Sequence, residues 1–199
     1  MGKKYLDLIE PGCTYHVYNR AVGDDLLFNT ENDYKFFLHL LKVNILPVAK
    51  ILTYCLMPNH YHLVIRINDN LNEKDVKKVS QAFRKIGIQF VKSVNYKEGR
   101  KGTLFMRPFK RIKITNEFYL LQLILYIHLN PLGHNGRDLV MFSQYPWSSY
   151  ADIINGKSEL IDIELVISFF DDLENFQETH QLIFKKKLYS LSEDQEFGN

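Results

Sequence analysis

The chain has 199 residues, of which 46% are hydrophobic, so it is long and apolar enough to bury a core. Its formal net charge is only +2, and no stretch approaches the roughly 20 apolar residues of a membrane span. The N-terminal residues do not resemble a signal peptide, and two cysteines, Cys13 and Cys55, are too few for a disulfide framework. We therefore expect a cytoplasmic protein of one main domain with reduced, buried thiols.

The first part of the chain predicts a strand, a helix and a hairpin. Residues 14–20 alternate and are rich in β-forming side chains, which is typical of a strand. Thr30 is placed to cap a helix that continues to about Val43, because apolar residues recur there at helical spacing. Two strand-like runs follow, at 52–57 and 63–67, and a Pro-Asn turn between them predicts a hairpin.

The second part predicts a long helix over residues 74–95. Its apolar stripe consists of Val79, Phe83, Ile86, Phe90 and Val94. Alternation after Pro108 predicts a further strand to Ile114, and residues 116–129 predict a buried helix. Two more helical segments are expected near 163–170 and 176–188.

The order strand, helix, strand, strand, helix, strand is that of a ferredoxin-like, split βαβ fold of the α+β class. In this fold an antiparallel sheet carries the helices on one face. We expect residues 1–150 to form this domain and residues 151–199 to form an acidic helical C-terminal extension.

The charges are unevenly distributed along the chain. Between Lys77 and Lys113 there are twelve lysines and arginines and a single acid, Glu98. A basic segment with interleaved aromatic residues is typical of binding to a nucleic-acid backbone. A basic face that is merely solvated gives the same pattern, so charge alone leaves both interpretations open.

The segment from Met57 to Ile65 contains two histidines, His60 and His62, at the start of a predicted strand. Side chains at i and i+2 of a strand project from the same face, so these imidazoles should lie side by side. Two neutral imidazoles form half of a site for a divalent metal ion. The spacing is equally compatible with two buried hydrogen-bonding residues, because no third ligand lies nearby in the sequence.

Together these segments resemble the REP-associated tyrosine transposases, members of the single-tyrosine HUH transposase superfamily. The resemblance extends over roughly residues 12–152 and rests on seven segments, which are 15–20, the loop that ends at 27–28, 54–64, 102–105, 107–111, 126–131 and 147–150. Proteins of this family bind single-stranded DNA, often folded as a hairpin. A tyrosine on the long helix attacks a backbone phosphate and leaves a 5′-phosphotyrosine and a free 3′-hydroxyl.

The resemblance also implies a metal ion. In the family the histidine pair and a polar residue of the same helix hold Mg²⁺ or Mn²⁺, which neutralises and orients the phosphate. Here the ligands would be His60, His62 and Asn95, with Gln89 as the other candidate for the third position. The DNA-binding residues would be Arg84, Lys85, Arg100, Lys101, Arg107, Lys110, Arg111 and Lys113.

The sequence departs from the family at the position aligned with the nucleophile, which Phe90 holds. A phenylalanine has no oxygen, so it cannot form the covalent intermediate. Either Tyr96 is a displaced nucleophile, or the chain binds DNA without cleaving it.

We therefore expect a transposase-family protein that binds single-stranded or hairpin DNA. The resemblance implies metal-assisted, tyrosine-dependent cleavage and rejoining of DNA strands. One alternative is a non-catalytic relative that only binds hairpin DNA. Another is a metal-dependent hydrolase in which His60 and His62 activate water. A homodimer is a further prediction.

Overall fold

The computed structural model describes residues 7–106, 108–133 and 142–196. In this part of the chain the strands and α-helices are β1 Thr14–Arg20, α1 Glu31–Ile45, β2 Ala49–Met57, β3 His60–Ile67, α2 Glu73–Lys97, β4 Lys110–Ile114, α3 Glu117–His128, α4 Tyr150–Ile154, α5 Ile163–Ser168 and α6 Leu173–Glu196. Short 3₁₀ helices lie at Asn130–Gly133 and Phe142–Gln144.

The four strands form one antiparallel sheet in the order β2-β3-β1-β4. This order confirms the predicted ferredoxin-like, α+β fold. β3 and β1 occupy the centre, and Tyr18 of β1 lies opposite His62 of β3. The predicted hairpin is β2 and β3, and Met57 pairs with His60 beside its turn.

Helices cover both faces of the sheet. α1 and α2 share one face, where Phe37 of α1 packs against Tyr61 of β3, with 5.0 Å between ring centroids. α3 lies on the other face, where Tyr126 packs against His62 at 5.7 Å. Neighbouring residues of a strand point to opposite faces of the sheet. Tyr61 therefore faces the layer of α1 and α2, and His62 faces α3. The predicted fold contained helices on one face only.

Phe90 lies at the centre of the packing between α1, α2 and the sheet. Its side chain is completely buried. The rings of Phe28, Phe37 and Phe105 lie 5.4, 5.1 and 6.0 Å from it. The predicted apolar stripe of α2 is therefore confirmed as the buried face of this helix.

The outer edge of β2 is covered by the segment that follows residue 146. The backbone N–H of Leu56 donates to the carbonyl of Trp147 at 2.9 Å, and that of Ser149 donates to Tyr54 at 3.0 Å. An edge paired in this way cannot recruit a strand from another molecule. The division of the chain at residue 150 stays a prediction.

Both cysteines are free thiols, as predicted, and Cys55 is fully buried. No helix in residues 7–106, 108–133 or 142–196 is long and apolar enough to cross a membrane.

A buried polar chain connects α6 to the sheet. His128 of α3 has Nε2 at 2.7 Å from the Thr53 hydroxyl and at 2.8 Å from the Ser149 hydroxyl. Its Nδ1 lies 2.9 Å from Nε2 of His180 in α6, and both imidazoles are fully buried. Nδ1 of His180 donates to the carbonyl of Phe176 at 2.7 Å. Buried polar groups of this kind are costly unless each is hydrogen-bonded, so the chain fixes how α6 docks.

The buried imidazole of His180 makes stability depend on pH. Burial lowers its pKa to about 4, whereas the unfolded chain binds a proton below about pH 6.5. Stability is therefore complete above about pH 6.5 and falls as the pH drops towards 4, by up to about 1.4 kcal/mol per pH unit for this group. Urea unfolding between about pH 7.5 and 4.5 measures the slope. His180→Phe should reduce it, while His39→Gln, at an exposed site, should leave it unchanged; equal slopes in all three proteins would contradict this assignment.

Candidate active site

His60 and His62 project from the same face of β3, as the strand spacing predicts, with 5.2 Å between their ring centroids. They do not point at α2. The ring of His62 packs against Tyr18 of β1 and Tyr126 of α3, at 5.6 and 5.7 Å. This placement disagrees with the expectation that Asn95 or Gln89 of α2 completes the ligand set, because α2 packs on the opposite face of the sheet.

Hydrogen bonds fix the orientation of both imidazoles. Nδ1 of His62 lies 2.8 Å from Nε2 of His16, and Nδ1 of His60 lies 2.7 Å from the side-chain oxygen of Asn59. With each Nδ1 engaged, Nε2 is the atom that each histidine would present to a metal ion.

The surroundings keep His62 and His16 uncharged. Burial lowers the pKa of His62 to about 3, with a smaller contribution from the neighbouring His16 and His60. Burial also lowers the pKa of His16 to about 4. At neutral pH both imidazoles therefore retain a lone pair, which metal coordination requires.

α3 and the 3₁₀ helix that follows it bring two further groups to the histidines. The ring of Tyr126 lies edge-on to His62, with an interplanar angle of 84°, and is 51% exposed. The side-chain oxygen of Asn130, four residues later, lies 3.3 Å from Nε2 of His60. Tyr126 near the end of α3 and Asn130 at the start of the next 3₁₀ helix therefore present a phenol and an amide to the histidine pair.

The separation of one pair of donor atoms is compatible with a shared divalent ion. An ion about 2.1 Å from each of two ligands, at an angle near 100°, holds them about 3.2 Å apart. The 3.3 Å between Nε2 of His60 and the Asn130 oxygen matches this separation. Two imidazoles and an amide oxygen suit Mn²⁺ better than the strongly oxygen-preferring Mg²⁺. No group of three His, Cys, Asp or Glu side chains in the described residues could hold a metal ion.

A cavity of about 340 Å³ opens beside the histidines at the ends of β1 and β4. Its lining includes Tyr18, Arg20, His60, His62 and Lys110. The ammonium group of Lys110 lies 5.5 Å from the centre of the Tyr18 ring. The lining contains cations and no acidic residue, which favours an anionic ligand such as a phosphodiester.

The residues predicted from α2 are not brought to this cavity. Phe90 is enclosed by aromatic rings on the other side of the sheet. Tyr96 is 91% exposed and lines a groove between α1 and α2 together with Gln89. Asn95 donates from its amide nitrogen to the carbonyl of Gly102 at 2.9 Å. The prediction aligned the wrong helix with the histidines, because periodicity identifies the buried side of a helix and not the sheet face that it covers.

Three of the predicted DNA-binding residues lie on β4, and their side chains do not all point to the same face of the sheet. Lys110 lines the cavity, whereas Arg111 and Lys113 point to the opposite face. Nε of Arg111 donates to the carbonyl of Asp7 at 2.6 Å, and the ammonium of Lys113 lies 2.8 Å from the Glu10 carboxylate. Arg111 and Lys113 therefore hold the N-terminal segment against the sheet edge.

The other predicted DNA-binding residues are Arg84, Lys85, Arg100, Lys101 and Arg107. Arg84 and Lys85 are exposed on α2, and Lys101 is exposed in the turn after it. Arg100 forms an ion pair with Asp25. Arg107 lies outside the described residues. None of the four that are described lines the cavity at the histidines.

Sequence reasoning missed Tyr126, Asn130 and Arg20 as site residues. A signal for the first two was present, because a tyrosine precedes an asparagine by four residues at the end of a helix and Pro131 follows. The apolar composition of this helix concealed the spacing of the tyrosine and the asparagine. Nothing in the sequence marks Arg20 apart from its place at the end of a strand.

Comparison with solved structures gives matches of the same fold. One of them is described as a REP-associated tyrosine transposase bound to a REP hairpin, and it superposes with a TM-score of 0.63 at 18% sequence identity. The superposition covers 81% of this chain and 89% of that one. No family model and no curated protein matches the sequence. The likeness establishes the fold.

Proposed function

We propose that this protein is a cytoplasmic, transposase-like enzyme that cleaves and rejoins single-stranded DNA next to a hairpin, with Tyr126 as its nucleophile. The observation that carries the proposal is the contact of Tyr126 with His62 and of Asn130 with His60, beside a cationic cavity that both histidines line. The description of the similar structure, a tyrosine transposase with a bound hairpin, agrees with this chemistry.

Tyr126 is suited to attack a phosphodiester. Its ring is in contact with His62, while half of its surface is open to an incoming strand. The phenolic oxygen forms a bond to phosphorus as the bond to the 3′-oxygen breaks, which leaves a 5′-phosphotyrosine and a free 3′-hydroxyl. The phenolic proton leaves to solvent, and the 3′-oxygen takes up a proton. The covalent link conserves the bond energy, so the reverse attack rejoins strands without ATP.

His60, His62 and Asn130 would hold the divalent ion. Such an ion neutralises the charge of the phosphate and orients the scissile group. All three ligands are neutral, so the site itself offers no negative charge to the ion. Phosphate oxygens would supply that charge, and we expect metal affinity to rise when DNA is bound. Arg20 and Lys110 would bind neighbouring phosphates.

We favour this function over the two alternatives on the placement of two aromatic side chains. The non-catalytic alternative rested on Phe90, which lies away from the histidines. The hydrolase alternative needs no tyrosine at the site, yet Tyr126 packs against His62.

The proposal predicts a metal-dependent covalent adduct. Purified protein is incubated with Mn²⁺ and a library of single-stranded oligonucleotides that carry a hairpin with randomised stem and flanks. The label is placed at the 3′ end, because the 5′-phosphotyrosine joins the protein to the 3′ fragment. We expect a labelled band at the size of the protein on a denaturing gel, and we expect EDTA to abolish it. The same sequences as full duplexes are the matched control.

Two other results would contradict the proposal in different ways. Cleavage that yields free 5′-phosphate ends without an adduct would identify a hydrolase. Hairpin binding with no cleavage at any sequence of the library would identify a non-catalytic DNA-binding protein.

A further inference from the structure

A second groove lies on the α2 face of the sheet and is not part of the site described above. It has a volume of about 620 Å³, within the range of about 300–1,000 Å³ for pockets that bind small organic molecules. We call it the helix groove; its apolar wall is formed by Phe83, Ile86, Val91, Phe105, Pro108 and Phe109. The rings of Phe83 and Phe109 lie 4.9 Å apart and form one continuous aromatic surface.

Gly87 lies in the middle of α2 and lines the helix groove. Glycine is among the least favourable residues inside a helix, so such a position usually has a reason in packing. Packing does not supply one here, because a Cβ at Gly87 would meet no atom within 4 Å. The absence of a side chain instead keeps the groove open.

The rim of the helix groove is cationic. Arg84 and Lys92 line it and are both exposed, and neither forms an ion pair with any described residue. No acidic side chain is among the lining residues. An apolar aromatic floor with two cations at its rim matches a nucleotide, which has an apolar face and an anionic phosphate.

The helix groove is continuous with the cavity at the histidines. Asn19 and Met106 line both, and Met106 is 45% exposed at the end of β1. A strand bound in the histidine cavity would therefore reach the helix groove by passing Met106.

We propose that the helix groove binds an unstacked nucleobase of the single strand that flanks the cleavage site. The base lies on Phe83 and Phe109, next to Gly87, and Arg84 and Lys92 contact the adjoining phosphates. Stacking of this kind tolerates any base, because every base has a π-face. The helix groove thus sets the path of the strand and the spacing between the hairpin and the cleaved bond. This inference rests on the proposed function.

The test fills the groove. Gly87→Phe places a ring where a Cβ meets open space, so the fold should be kept, and circular dichroism and thermal unfolding check this. We expect its affinity for a hairpin with a single-stranded flank, measured by fluorescence anisotropy, to fall by about 5- to 100-fold. Gly87→Ala leaves the groove open and should bind as wild type. Ser93→Phe adds the same bulk to the groove between α1 and α2 and should also bind as wild type.

A second measurement locates the base. Hairpins with one abasic nucleotide, moved stepwise along the flank, should bind wild type more weakly at one or two positions. In Gly87→Phe those positions should lose their effect. Arg84→Gln with Lys92→Gln should reduce the slope of log K against log salt by about 1.4, at about 0.7 per phosphate contact for a single strand. This double variant tests the groove without filling it.

The outcomes separate the two proposals. Wild-type affinity in Gly87→Phe, together with an unchanged abasic profile and salt slope, overturns the groove assignment and leaves the proposed function intact. If wild-type protein binds no oligonucleotide of the library, both the proposed function and the groove assignment are overturned. If wild type binds the hairpin tightly and an abasic nucleotide at any flank position leaves the affinity unchanged, the groove binds another ligand.

Discussion

Tyr126→Phe should abolish formation of the covalent protein–DNA adduct. The substitution removes one oxygen atom, the one that we propose attacks phosphorus, and it leaves the hydroxyl of Tyr18, which also packs against His62, in place. We expect adduct yield to fall at least about 1,000-fold, to below detection on a denaturing gel. DNA affinity should stay within about threefold of wild type, since the aromatic ring and the cations of the cavity remain.

The matched control for this experiment is Tyr96→Phe. It makes the same chemical change at a tyrosine that is 91% exposed on α2, and adduct formation should be unaffected. Adduct that persists in Tyr126→Phe and disappears in Tyr96→Phe would show that the reacting strand lies on the α2 face. That result would remove the histidine cavity from the mechanism.

Phe90→Ala should cost about 3–5 kcal/mol of unfolding free energy, the range for truncating a fully buried phenylalanine. The cavity would open among the rings of Phe28, Phe37 and Phe105, which belong to three different segments and cannot all move inward. Urea unfolding at neutral pH measures the loss. Because the total stability of typical domains is only about 5–15 kcal/mol, we expect the variant to retain little folded protein at elevated temperature.

Phe90→Tyr tests whether residue 90 holds the place of the nucleophile. If Phe90 held the place of the nucleophile, the added hydroxyl would create or increase adduct formation. We expect no new activity and a loss of about 1–3 kcal/mol, because the hydroxyl enters an aromatic cluster without a suitable partner. A second adduct that maps to residue 90 would contradict the placement of α2 away from the histidines.

The sequence by itself determined the order of strands and helices and the relation between His60 and His62. Strand alternation places the two imidazoles on one face whatever surrounds the sheet, so local geometry was sufficient. The apolar stripe of α2 likewise predicted that Phe90 is buried, since burial follows from helical spacing alone. The order of the elements then selected a ferredoxin-like sheet from the few permitted topologies.

Only the tertiary structure decided which helix meets the histidines. An amphipathic pattern states that one side of a helix is buried, but α2 would bury the same stripe on either face of the sheet. For α3 the pattern was weaker still, because its nearly uniform apolar composition hides the one side on which Tyr126 is half exposed. Tyr126 and His62 lie far apart in the sequence, and their contact depends on how α3 crosses the sheet after β4. A catalytic site assembled from distant segments is a property of packing, and packing is not encoded in the periodicity of any one segment.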